Sequence, residues 1–197
     1  MTQHASYIHL VVDKAINFSN EYLRGLQEPI YRAPDNMIDY SKVSPGHEIV
    51  FWKAIYANIS ELAFKVYEEK IGYQLPPTYK DFPSYKYFIS LNFGHEVEFF
   101  RHTQSWAHDY YGNILKTGVE ATLGNGLIPF AQTNDRVILC FDTNDSNKEN
   151  EYGIVSYVPE FGEKEYPSRQ GQYTFIDLIF DCERNLDRWR EMKQTSA

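Results

Sequence analysis

The stretch Glu68-Glu69-Lys70-Ile71-Gly72-Tyr73-Gln74-Leu75-Pro76-Pro77-Thr78-Tyr79-Lys80 decides how this chain folds. Its first part ends a helix. Upstream, Asn58 is placed to cap the first turn, with Glu61 three residues on, a capping-box arrangement. Ile59, Leu62, Ala63, Val66 and Tyr67 then form one apolar face at helical spacing. Gly72 stands where a helix closes in the left-handed conformation, which glycine enters without a Cβ penalty. Pro76 and Pro77 stop that helix and begin a new element, because proline has no N–H and its ring clashes with a preceding turn. Tyr79 falls at the core edge, where its ring is buried and its hydroxyl needs one partner.

Working outward, residues 6–27 space Ile8, Val11, Val12, Ala15, Ile16, Ser19, Tyr22, Leu23 and Leu26 three and four apart, which predicts a long amphipathic helix. Residues 28–46 hold Pro29, Pro34 and Pro45 and are expected to wrap the body as a connector. Residues 87–158 are mostly strand. In 93–100 the alternation puts His95 and Val97 on one face and Glu96 and Glu98 on the other. Gly94 there permits a positive φ or a close backbone approach. Residues 127–131 and 137–141 form a hairpin, 142–151 a long polar loop and 152–158 a further strand. The last helix spans 174–193. Thr174 caps it, Asp177 follows at the third position, and Phe175, Leu178, Ile179, Cys182, Leu186 and Trp189 make its inner face. Its acids come early and its bases late, complementing the helix dipole. The class is α+β: a single domain with a mostly antiparallel or mixed sheet packed by helices, plus an extra N-terminal helix.

The order of these pieces resembles the SUKH superfamily, bacterial immunity proteins related to a yeast regulator of cell-wall synthesis. The matching blocks are the Leu75-Pro76-Pro77-Thr78-Tyr79-Lys80 turn, Leu127-Ile128-Pro129-Phe130-Ala131, Val137-Ile138-Leu139-Cys140-Phe141-Asp142, Tyr152-Gly153-Ile154-Val155 and Thr174-Phe175-Ile176-Asp177-Leu178. The family's Asn-Gly pair stands here as Asn92-Phe93-Gly94, and the spacing from Leu75 is longer, as if residues 81–84 were inserted. The resemblance covers roughly residues 52–182. It implies a division into residues 1–50, an added helix and connector, and residues 51–197, the SUKH-like body. It also implies that Leu75, Pro76, Tyr79, Asn92, Gly94, Pro129, Phe130 and Asp142 are fold determinants and that members bind proteins without a shared active site.

Composition narrows the function classes. The 197 residues include 19 Lys+Arg against 27 Asp+Glu, a net charge of -8. A dominant nucleic-acid binder carries the opposite surplus, because phosphate neutralisation drives its affinity. No apolar run approaches the length of a membrane span, and neither a signal peptide nor a disulfide framework is evident, so a reducing cytoplasm is expected. Between residues 134 and 165 stand eight acidic side chains and three basic ones, so this segment holds five of the eight net negative charges. Asp135, Asp142, Asp145, Glu149 and Glu151 are therefore candidates for an electrostatic docking face. Aromatic residues make up 16% of the chain and concentrate in residues 73–111. Phe82, Phe88, Phe93, Phe99 and Phe100 are expected inside, while Trp106, Tyr110 and Tyr111 lie in a polar context suited to an interface.

Catalytic signals are weak. Cys140 and Cys182 lie on apolar faces with no adjacent base, where thiols are inert. There is no GxSxG, P-loop or GxGxxG. His95, His102 and His108 match no metal-ligand spacing, and Asp142, Asp145, Asn147 and Asn150 lack the glycine and bidentate Glu of a calcium loop. The expectation is a non-enzymatic protein-binding module without cofactor: an immunity protein that binds and neutralises a basic toxin domain such as a nuclease. A regulatory scaffold, and a metal-dependent hydrolase built on the three histidines, are the alternatives.

Overall fold

A computed structural model describes residues 2–22, 27–29, 32–43, 46, 48–94, 96–105, 108–109, 112, 122–158, 161–165 and 173–195. Four α-helices stand among them: α1 (Ala5–Tyr22), α2 (Glu61–Ile71), α3 (Pro77–Asp81) and α4 (Phe175–Thr195). The main sheet has six antiparallel strands. In chain order they are β5 (Leu91–Phe93), β6 (Val97–Phe99), β7 (Leu127–Thr133), β8 (Ile138–Ser146), β9 (Tyr152–Val158) and β10 (Glu163–Glu165), and their spatial order is the same. Two short ribbons accompany it. One pairs β1 (Gln27–Pro29) with β2 (Ile49–Phe51), the other β3 (Ile55–Tyr56) with β4 (Lys86–Tyr87). The expected α+β fold with an N-terminal helix is what the chain adopts.

Strand alternation divides the sheet between two cores. Ile128, Leu139, Phe141 and Ile154 face the helices and join the main cluster. Leu127, Ile138, Cys140, Val155 and Tyr157 face the opposite side and form a smaller cluster, with Phe100 packed against it. A bulge between Pro129 and Ala131 breaks the alternation, so the neighbours Phe130 and Ala131 both enter the main core. Helix α1 is part of that core through Ile8, Val11, Val12, Ala15 and Phe18. It is locked to α4 by the Tyr7 hydroxyl and Lys14 ammonium, which both bind Glu183. Among the described residues the predicted inner faces of α1 and α4 are turned to the core, with Ile16 and Trp189 half-buried and Phe18 an addition.

Four local expectations are corrected. The first helix was expected to reach residue 27. It is helical to Tyr22, residues 23–26 lie outside the described residues, and Gln27–Pro29 is a strand paired with Ile49–Phe51. Ser60, not Asn58, caps α2, its hydroxyl accepting from the Ala63 N–H at 3.2 Å. The helix therefore buries Phe64, Tyr67 and Ile71 and leaves Leu62 at 69% and Val66 at 56% exposure. Residues 93–100 are not one strand: β5 and β6 form a hairpin, with Phe93 opposite Val97. The polar run after Phe141 is not a loop throughout. β8 continues to Ser146, and the Asn147 side chain closes a tight turn by accepting from the Glu149 and Glu151 N–H groups at 2.8 and 3.1 Å.

Gly94 turns the β5–β6 hairpin at φ 65°, and a Cβ there would stand 2.9 Å from Trp189 Cδ1 and 3.4 Å from the Asn185 backbone on α4. Gly72 closes α2 at φ 80° with nothing within 4 Å of that position. Gly72→Ala therefore meets only the left-handed backbone penalty and is expected to cost about 1 kcal/mol. Gly94→Ala adds a steric clash and is expected to cost about 2–4 kcal/mol. Urea unfolding of both variants checks this, and equal losses would show that α4 does not press on the hairpin.

Candidate functional site

The deciding stretch is held by two carboxylates. Glu68 on α2 accepts from the Leu75 N–H at 2.7 Å and pairs with Lys80 at 2.6 Å, folding the Leu75-Pro76 reversal back on its own helix. Glu151, in the turn between β8 and β9, accepts from the Thr78 N–H at 2.8 Å and the Thr78 hydroxyl at 2.6 Å. Pro77 at the first position of α3 has no N–H to satisfy, so the Thr78 N–H is the first that needs a partner. Next to it, the Tyr79 ring meets Phe141 at 5.1 Å and Phe175 at 5.2 Å, both edge-on.

This arrangement divides the five candidate acids. Glu151 is 6% exposed and Asp142 2% exposed, so neither presents charge on a docking face, and both are corrected to internal anchors. Burial pushes the Glu151 carboxyl above its ordinary range, against the pull of the two Thr78 hydrogen bonds. Asp142 accepts from the Asn144 N–H and side-chain amide at 3.0 Å each and lies 3.6 Å from the Lys164 ammonium. Asp145 is half-buried. It packs over Gly153, where a Cβ would stand 2.4 Å from its Oδ2, in a stretch where the β8–β9 register shifts. Asp135 and Glu149 are exposed, as are Glu163 and Glu165 on the edge strand β10.

A cleft of about 690 Å³ opens between β1 and the β6–β7 part of the sheet. Its charged lining is Glu28, Arg32, Glu98, Arg101 and Asp109, with the imidazole of His108 beside them. Arg101 Nε lies 3.5 Å from Asp109, which also accepts from the Thr103 hydroxyl. Arg32 lies 3.7 Å from Glu28, whose carboxyl is pushed up by burial and drawn back by Arg32 and Arg101. Trp106, Tyr110 and Tyr111 lie outside the described residues. Glu28, Ser90 and Gln132 were not singled out from sequence, and Glu98 was weighed only as a carboxylate beside the histidines. The only signal was the isolated acid Glu98 between Val97 and Phe99, because β1 joins the cleft through a pairing that residues 28–46 do not announce.

Two of the three candidate histidines are among the described residues. His95 lies outside the described residues. His102 is buried and donates from Nε2 to the Pro83 carbonyl at 2.8 Å, and His108 is exposed. Among the described residues no three His, Cys, Asp or Glu side chains are grouped to hold a metal ion. Cys140 and Cys182 are buried, and burial pushes both thiols up. No helix among the described residues is long and apolar enough to cross a membrane.

Two outcomes test this account. Glu151→Ala leaves the Thr78 N–H and hydroxyl buried without an acceptor and is expected to cost about 1–3 kcal/mol. Glu151→Gln keeps an acceptor and removes the buried charge, so it is expected to cost less, and urea unfolding that ranks them the other way would refute the anchoring role. Burial also lowers the His102 pKa from 6.5 to about 4. The unfolded chain then takes the proton first, so stability present above pH 6.5 is lost as pH falls toward 4. The full linkage is about 3 kcal/mol. A proton NMR titration showing His102 protonated at pH 6 would contradict it.

Comparison with curated proteins finds no match. The family model SUKH_6, described as SMI1-KNR4 cell-wall, matches residues 61–177. That span starts at the first residue of α2 and ends in the first turn of α4, enclosing the Leu75-Pro76 reversal, both carboxylate anchors and all six strands of the main sheet. The chain therefore belongs to the SMI1-KNR4 family of the SUKH superfamily.

Proposed function

We propose that this chain is a non-enzymatic protein-binding module of the immunity type, acting in the cytoplasm to bind and neutralise a toxin domain of basic charge. The family match carries this reading. In it, residues 51–197 are the family body and residues 1–50 an added helix and connector. The chain's charge supports the choice of partner. With Asp142 and Glu151 turned inward, Asp135, Glu149, Glu163 and Glu165 are exposed acids with the exposed Arg136, Lys148 and Lys164 beside them, so it is the chain's net charge of -8 that favours a basic partner. A field of one sign speeds encounter with an oppositely charged protein, and blocking such a partner needs buried surface rather than chemistry. A nuclease domain, basic because it binds phosphate, is the partner class this charge suits best.

The family description names the cell wall, which favours a second reading, a regulatory scaffold with host partners. Co-expression with the product of the neighbouring toxin gene separates them. The immunity reading expects a stable complex and loss of toxin activity. If no toxin domain encoded beside the gene is retained or neutralised, that reading fails. Replacing Asp135 and Glu149 by Lys is expected to slow association about tenfold at low salt and much less at high salt. Stopped-flow mixing measures this, and salt-independent rates would remove the steering role.

A further inference from the structure

Glu98 is the one acid of the cleft, among the described residues, whose hydrogen-bond partners are all neutral. Its Oε1 accepts from the Ser90 hydroxyl at 2.7 Å, and its Oε2 accepts from the Gln132 side-chain amide at 3.1 Å. Asp109 is paired with Arg101 and Glu28 with Arg32, as described above. No cation among the described residues lies within ion-pair distance of Glu98. The two donors hold the carboxylate from both sides of β6, since Ser90 leads into β5 and Gln132 stands opposite Glu98 on β7. The side chain is thus oriented before any ligand arrives.

A carboxylate offers about four lone-pair positions, two on each oxygen. Each Glu98 oxygen has used one on a neutral donor, so each keeps one. A guanidinium presents two parallel N–H groups, one for each oxygen of a carboxylate, whereas an ammonium is a point charge. Phe100, two residues on and half-buried, is the apolar neighbour on the same side of the chain, while Ile89 and Phe99 line the cleft with their side chains buried in the main core. A planar, weakly hydrated guanidinium tolerates such a neighbour better than a strongly hydrated ammonium. A cleft of about 690 Å³ also has room for the side chain and the backbone that carries it.

We propose that this cleft receives an arginine side chain of the protein partner, its guanidinium paired in bidentate fashion with Glu98. The inference deepens the protein-binding reading and rests on it. It assigns the cleft the short-range recognition step, distinct from the long-range steering by the exposed acids.

The test uses the full chain and N-acetyl-arginine methylamide as probe, followed by NMR of the backbone amides of Ser90, Glu98 and Gln132. Saturable shifts are expected with this probe. They should weaken about tenfold with the neutral isostere N-acetyl-citrulline methylamide, and by a similar factor in Glu98→Gln, the scale of a lost charge-assisted pair. Equal responses to the two probes in the unmodified protein, or no saturable shift, overturn the proposal without recourse to any variant. Toxin capture is read separately. A toxin retained equally by the unmodified protein and by Glu98→Gln leaves the immunity reading standing and overturns the arginine site. If no toxin is retained, the immunity reading falls while the two-probe comparison still decides the cleft.

Discussion

The hydrogen bonds from Thr78 to the buried Glu151 carboxylate join the two halves of this fold. Helix α3 is too short to hold itself, because nucleation of a helix costs more than a single turn returns. It exists because Pro76 and Pro77 set its direction, Glu151 satisfies its first free N–H, and Tyr79 is pressed into the rings of Phe141 and Phe175. The same carboxylate ties the β8–β9 turn down onto the helical layer. Sheet and helices are therefore registered by one acid that comes from the chain's most acidic segment.

That use of charge has consequences for what the surface presents. A carboxylate taken out of water must be repaid with hydrogen bonds. Glu151 takes its two from Thr78, and Asp142 takes its own from Asn144 with Lys164 nearby. What remains outside is Asp135, Glu149 and, on the edge strand, Glu163 and Glu165, with Arg136, Lys148 and Lys164 exposed among them. Charge on an edge strand also discourages pairing with another sheet, since alien backbone would have to approach like-charged side chains. Edge protection and the proposed partner steering thus draw on the same residues.

Much of the architecture was legible because its signals are local. Gly72 ends α2 because the left-handed conformation suits glycine, Asp177 accepts from the Thr174 N–H and hydroxyl at the start of α4, and the hairpin of residues 127–141 pairs as its pattern indicates. The α2 face was misjudged for a physical reason. Its sequence offers two stripes at helical spacing, one through Leu62 and Val66 and one through Phe64 and Ile71, and Tyr67 belongs to both. Periodicity cannot choose between them. Docking against the core chooses the stripe with the larger ring, while Glu68, beside Tyr67, reaches back to Leu75.

The candidate site was less legible. By itself the sequence determined the α+β class, the Gly72 end of α2, the family and the excess of negative charge, since each depends on residue type and short-range spacing. Only the tertiary structure decided which carboxylates are spent inside and which remain outside. Sign of charge is a property of a residue, but burial is a property of its neighbours, and the neighbour that buries Glu151 is Thr78, 73 positions away. The cleft around Glu98 follows the same rule. Its walls come from β1, β6 and β7, and no local pattern records that strands so distant in the chain share one opening.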